Sequence, residues 1–349
     1  MSARVLLDAD VLGRHRTGDE TYVLNLLRGL ARSPLARSVA AVTRHPELVP
    51  EGVEAVYLAA RSSELRMLWS LPRLLRARRP QLAHFQYVIP PGWRGRSVVT
   101  IHDLSFERRA DLMQPADRLL MRTLVPRSAR RACRVLTVSE FTKADLIDCY
   151  GLPAEKVVVT PNGVDPAFTP DGPRYGGRPY LLFVGALQPR KNPVLALEAF
   201  ARLGQDLRLL MVGPDKHGAG KVRAAVERLG LGSRVEFLGH VDQPTLAALY
   251  RGAECFVFPS SYEGFGLPVL EAMASGTPVV ASDVTSLPEI TGGAAVLVPL
   301  GDPQALAAAI TAAMADRIRL TGAGLEQAAR FSWSALSERT REVYEEALS

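Results

Sequence analysis

Short apolar runs alternate with longer amphipathic stretches throughout this chain, and the alternation stops once and then restarts. Residues 5–8, 39–43, 82–87, 98–101, 135–138 and 157–160 read as strands. Residues 165–179 follow, rich in proline and glycine, and read as an interdomain linker. Six further runs come after it, at 181–184, 207–212, 235–238, 255–258, 278–281 and 296–298. Continuous apolar runs separated by helices are the pattern of parallel sheets covered on both faces. The expected class is therefore α/β, with two doubly wound Rossmann-like domains spanning 1–168 and 176–331. A chain of 349 residues is long enough for two cores. Such domains bind ligands beyond the carboxyl ends of their strands, so a cleft with the two domains facing across it is the expected site. Residues 332–349 read as a last helix, capped by Ser332 or Ser334.

Several classes are set aside by composition. No apolar run reaches the length of a membrane span. The first eight residues move straight into a strand pattern without the apolar core of a signal peptide. Cys133, Cys149 and Cys255 are scattered and form no CxxC, so a reducing cytoplasm is the expected location. The net charge of +6 is carried almost wholly by arginine, and lysine occurs only at 143, 156, 191, 216 and 221. Arginine is the better fork for phosphates, but no nucleic-acid-binding module accompanies it. The segments 61–79 and 118–131 mix arginines with large apolar residues. They read either as core-facing helices or as peripheral contacts with an anionic membrane.

Four motifs carry chemistry. In Ser261-Tyr262-Glu263-Gly264-Phe265-Gly266-Leu267-Pro268, a strand end leads through a glycine turn into a helix, with Glu271 one turn further on. Amides of Gly264, Phe265 and Gly266 at the helix start suit a ligand approaching closely. The two carboxylates suit vicinal hydroxyls. Alternatively, Glu263 caps the helix and Glu271 lies on its surface. The second motif runs from Gly185 to Arg190-Lys191-Asn192 and reads as an anion site suited to a diphosphate, or as a solvated basic loop. The third is Gly18, expected just before a helix over 22–31. The fourth is His102-Asp103 at a strand's carboxyl end. Asp8 and Asp10 resemble a metal-binding DxD, but their place on a first strand argues against metal. Residues 213–218 fall short of a P-loop, and no GxGxxG follows the first strand.

Together these motifs resemble the retaining nucleotide-sugar glycosyltransferases of family 4, which have the GT-B fold, and the mannosyltransferase-like branch among them. The Glu263–Glu271 spacing matches that family's E-x7-E motif. The resemblance implies that Glu263 and the amides of Gly264, Phe265, Gly266 and Leu267 hold the donor sugar, and that Glu271 holds the ribose. It implies that Arg190 and Lys191 bind the diphosphate beside Gly185, with Gly18 assisting. His102 and Asp103 would lie near the reacting sugar, and the backbone at Val241 would meet the base. The last helix would cross back to the N-terminal domain. One departure stands out, because the family's Gly-Ile-Gly is Gly18-Asp19-Glu20 here. Acids there would repel a diphosphate, so they are expected to face acceptor or solvent. The implied reaction moves a hexose from a GDP- or UDP-linked donor to a glycan, glycolipid or small-molecule hydroxyl, without a metal or other cofactor. Competing readings make Glu263 a nucleophile, make the chain a GT-B-type phosphorylase, or make it a silent sugar-nucleotide binder.

Overall fold

The computed structural model describes residues 4–13, 18–109 and 113–349. Two compact units emerge. One comprises residues up to Gly163 together with 332–349, and the other spans Val164–Phe331.

The first unit contains strands β1 (Val5–Asp8), β2 (Val39–Thr43), β3 (Glu54–Tyr57), β4 (Leu82–Gln86), β5 (Arg96–Thr100), β6 (Arg134–Thr137) and β7 (Val157–Val159). Their order across the sheet is β3-β2-β1-β4-β5-β6-β7. The second unit contains β8 (Tyr180–Val184), β9 (Arg208–Val212), β10 (Val235–Gly239), β11 (Cys255–Phe258), β12 (Val279–Ser282) and β13 (Val296–Val298), ordered β10-β9-β8-β11-β12-β13. Every named pairing is parallel. This is the doubly wound α/β class that the alternating pattern requires. The central strands β1, β2, β11 and β12 are buried at every position, which is why they read as unbroken apolar runs.

Strand β3 escaped the sequence reading. It lies at the sheet edge, and of its four residues only Val56 is buried, so neither a continuous run nor a clear alternation marks it.

Residues 165–179 do not behave as a loose linker. The buried guanidinium of Arg251 donates to the carbonyls of Pro173 (2.7 Å), Ala167 (3.4 Å) and Thr169 (3.3 Å), and Tyr175 N–H donates to Ala248 O. The segment is therefore part of the second unit. Arg251→Ala leaves those carbonyls without their donor, and a loss of about 2 kcal/mol in unfolding free energy is expected. Denaturant melts check it, and an unchanged midpoint would refute it.

The last helix, Trp333–Leu348, is capped by Ser332, whose side chain accepts from Ala335 N–H. It crosses back to the first unit and packs on the Gly18–Ala31 helix and on β4, β5 and β6. A Cβ on Gly163 would sit 2.1 Å from Trp333 N, so the point where the chain leaves this unit touches the point where it returns. Leu336, Val343 and Tyr344 are buried in the shared core.

Candidate functional site

In both sheets the strand order reverses beside the first strand, between β1 and β4 and between β8 and β11. The carboxyl ends of these four strands and of β5 carry most of the candidate residues. They form two sets, one on each unit.

In the second unit, β8 runs out through Gly185 to a short turn over Pro189–Lys191, and β11 runs out through Ser260 to Gly266. Because β8 and β11 are neighbours, residues seventy positions apart in the chain meet. Lys191 Nζ lies 2.6 Å from Glu263 Oε1, and Arg190 Nη1 lies 3.0 Å from Oε2. Ser260 Oγ donates to the same Oε1. Arg190 also donates to the carbonyl of Tyr262 at 2.7 Å, while its own carbonyl accepts from Ser261 N–H at 2.8 Å. Asn192, in the left-handed region at φ 48°, donates to Pro259 O. The Lys191 ammonium stands over the Phe258 ring at 4.7 Å. Gly185 leaves room for the lysine stem, since a Cβ there would be 3.3 Å from Lys191 Cγ.

Glu263 is therefore the buried centre of the basic pair, although in the sequence the two motifs stand as separate elements. It does not cap the following helix, Leu267–Ala274. The N-cap of that helix is Gly266, at φ 108°, and carries no side-chain cap. The turn that carries those amides is anchored at its start, where Glu263 N–H donates to Thr285 Oγ1 at 3.1 Å. Ser286 Oγ donates to the carbonyls of Glu263 and Phe265, and the Phe265 ring packs edge-on against Phe331.

Burial alone would raise the Glu263 pKa. The charges of Lys191 and then Arg190 outweigh it and hold the carboxyl at about 2. A carboxyl whose folded pKa is depressed stabilises the fold above its ordinary pKa of 4.5, and that contribution is lost as pH falls through about 2. Stability of the second unit should fall across this window by about 3 kcal/mol on account of this group. Glu263→Gln should remove that part of the acid slope. An identical slope in the variant would refute the assignment.

Glu271 lies apart from this cluster. It is on the Leu267–Ala274 helix, and its Oε2 accepts from Tyr250 OH at 3.1 Å. Burial, and then the Glu271 charge, push the Tyr250 pKa well up, so the phenol remains a donor. Leu267 opens the helix, and Val241 lies between β10 and the Gln243–Gly252 helix.

In the first unit, His102 follows β5 and is buried, its Nε2 2.8 Å from Gln86 Oε1. Asp103 Oδ1 is used locally and accepts from Ser105 N–H (2.9 Å) and Ser105 Oγ (2.8 Å). Gly18 is the first residue of the helix Gly18–Ala31 rather than part of a loop before it. Thr17, next to it, lies outside the described residues. Asp19 Oδ1 is 4.0 Å from His102 Nε2, and Glu20 accepts from Gly13 N–H at 2.8 Å. Asp8 and Asp10 are held by arginine: Arg66 hydrogen-bonds Asp8 and forms an ion pair with Asp10, and Arg44 bonds Asp10 through two nitrogens. Asp8 ends β1 and Asp10 lies in the turn beyond it, so the two carboxylates are engaged by arginine from two different local positions.

Ser260 and Ser261 were legible, since they follow Pro259 at the strand end and open the glutamate motif. Thr285, Ser286 and Gln86 had no signal beyond their position after or at the end of a strand.

The family profile described as Glycosyl transferases group 1 matches residues 165–332, and the one described as Glycosyltransferase Family 4 matches residues 16–168. The chain is 34% identical over 267 residues to the O-antigen chain mannosyltransferase B of Escherichia coli, covering 71% of this chain and 70% of that one. It is 34% identical to the D-inositol 3-phosphate glycosyltransferase of Nocardia farcinica, across 73% of this chain and 62% of the relative. The chain thus spans about six tenths of that second relative's length. Among solved structures, a sucrose-phosphate synthase from Thermosynechococcus elongatus superposes with a TM-score of 0.80, at 24% identity and with 99% and 98% of the two chains covered. The Anabaena protein HepE in complex with UDP and glucose gives 0.77, at 17% identity and with 98% and 99% covered. These last two are likenesses of fold.

Proposed function

Because the chain belongs to the family 4, group 1 glycosyltransferases, we propose that it moves a hexose from a nucleoside diphosphate sugar to an acceptor hydroxyl with retained anomeric configuration. The observation that carries this reading is the buried Lys191–Glu263–Arg190 network at the carboxyl ends of β8 and β11. One carboxylate aims two cations. They supply fixed positive charge where a departing diphosphate gathers negative charge, without reorganising during the reaction. The leaving phosphate oxygen takes the acceptor's proton, so no protein nucleophile is needed, unlike a two-carboxylate retaining glycosidase. A carboxyl held at about 2 is a weak base, which supports an aligning role for Glu263 over a nucleophilic one.

The remaining roles belong to the same proposal. The loop from Gly264 through Leu267 meets the sugar hydroxyls. Glu271, oriented by Tyr250, takes the ribose. The backbone at Val241 meets the base, and Gly185 makes room beside the diphosphate. On the first unit, His102 touches the sugar and the Gly18 helix start assists, while Asp103 shapes the turn that follows His102. The two cations do the work a divalent metal does elsewhere, so turnover should survive excess chelator. Mannose is the sugar this reading favours, because the Escherichia coli relative is named a mannosyltransferase. The acceptor class is a glycan, glycolipid or small molecule, and the location is cytoplasmic.

Calorimetric titration with GDP and with UDP, each in excess chelator, tests the donor site. Saturable binding of one supports the reading and fixes the base. Binding of neither refutes it.

Peripheral membrane contact is part of the proposal on a separate observation. Among the described residues no helix is long and apolar enough to cross a membrane. Yet Leu65, Leu68 and Trp69, and Leu119 and Leu120, are exposed on the two arginine-rich segments, with Arg73 over the Trp69 ring. Pelleting with anionic but not neutral vesicles supports an interfacial role. Pelleting with neither removes it.

A further inference from the structure

His102 is held in a cage that no sequence motif announced. Gln86 ends β4 and pairs in register with Thr100 of β5, two residues before His102. The next residue, Tyr87, has φ 60°, and its N–H donates to Thr100 O at 2.8 Å. Consecutive residues of an extended strand point to opposite faces. The left-handed turn at Tyr87 breaks that alternation, so Gln86 and Tyr87 both reach the His102 ring. The Tyr87 and His102 rings lie 5.7 Å apart at 53°. A bulky aromatic in this backbone region is strained, and the strain persists only where its surroundings enforce it. From the Gly18–Ala31 helix, Tyr22 packs edge-on against the same ring at 4.7 Å and 83°. Its hydroxyl is 3.1 Å from Thr100 Oγ1, which in turn meets His84 Nε2 at 2.7 Å. The His102 ring is thus braced from three sides.

We propose that Gln86 is a positioning residue that keeps a proton on Nε2 of His102, and so leaves Nδ1 as the acceptor for a sugar hydroxyl. An amide oxygen only accepts, so the ring nitrogen facing it carries the hydrogen. A neutral imidazole then has its lone pair on the other nitrogen. The amide nitrogen of Gln86 is buried and has no partner, so the side chain is anchored through its oxygen alone. The groups facing the ring are Asp19 at 4.0 Å from Nε2, Tyr22, Tyr87 and, beyond Thr100, His84. The proposal rests on the reading of His102 as a sugar contact.

Two measurements test it on the full chain. The first is NMR of protein labelled with 15N-histidine, where six histidines make assignment by His102→Gln direct. The Nε2–H tautomer is expected for His102, and Gln86→Leu should give a mixture of both tautomers. An Nδ1–H tautomer in the unmodified protein, or no change in Gln86→Leu, overturns the proposal. The second is calorimetry with GDP and GDP-mannose, and with UDP and UDP-glucose, across pH. Gln86→Glu keeps the shape and sets a carboxylate against Nε2, favouring the doubly protonated ring and turning Nδ1 into a donor. Binding of the sugar nucleotide should weaken on the order of tenfold at neutral pH and recover as pH rises. Binding of the bare diphosphate should not move. Equal weakening of both ligands, or a loss independent of pH, overturns the proposal. His102→Gln separates it from its premise. If that variant binds sugar nucleotides normally, the reading of His102 fails. If it binds them poorly while Gln86→Glu binds them normally, only the role of Gln86 fails.

Discussion

Lys191→Met should lower the rate of sugar transfer by about 10²- to 10³-fold, the usual loss when one preorganised donor to a developing charge is removed. Methionine keeps the stem that packs over Gly185 and removes only the ammonium. The change also leaves Glu263 buried with one cation fewer. A stability loss of about 3 kcal/mol should accompany the catalytic one, because removing one partner of a buried pair strands the other. Arg190→Met should destabilise less. The Arg190 side chain is 24% exposed against 10% for Lys191, so water can replace more of what it supplied. Single-turnover rates and thermal melts of the two variants check the order. Wild-type turnover in Lys191→Met would end the proposed role of the network.

Glu263→Gln should cost about as much in turnover, again 10²- to 10³-fold, and its pattern of failure separates two mechanisms. As the aligning centre, Glu263 works only through Lys191 and Arg190. The double variant with Lys191→Met should then be little worse than the worse single one, since residues acting as a unit are not additive. As a nucleophile, its truncation to alanine should be rescued by azide or formate, and a slow fluorinated donor should leave a sugar on the protein. We expect no rescue and no adduct. Either one would restore the nucleophilic reading.

Much of this was legible in the sequence because strands buried on both faces leave continuous apolar runs. β1, β2, β11 and β13 begin and end where the sequence places them. The helix start at Gly18 was misplaced by four residues, although Asp19 and Glu20 are the acids a first helical turn favours. What the sequence hides is lateral order. Nothing in the residues says that β8 lies beside β11, so Arg190-Lys191 and Glu263 read as separate ligands of one substrate instead of as partners. Asp103 reads as a site residue because of where it stands, and the hydrogen bonds of its Oδ1 to Ser105 add a local use that no spacing announces. Gln86 and Tyr87 were invisible for a related reason. Their importance comes from a backbone turn that brings two adjacent side chains onto one ring, and no spacing encodes it.

The return of residues 332–349 to the first unit has a consequence for how the protein is made. A chain leaves the ribosome from its amino end, and domains usually fold in that order. Here the second unit is one uninterrupted stretch, whereas the first lacks Leu336, Val343 and Tyr344 until translation has passed them. His84 waits until then for Tyr344, whose hydroxyl lies 2.6 Å from its Nδ1. The half synthesised first is therefore the half completed last. A nascent chain stalled before residue 332 would expose the apolar floor of the first sheet while the second unit is already whole.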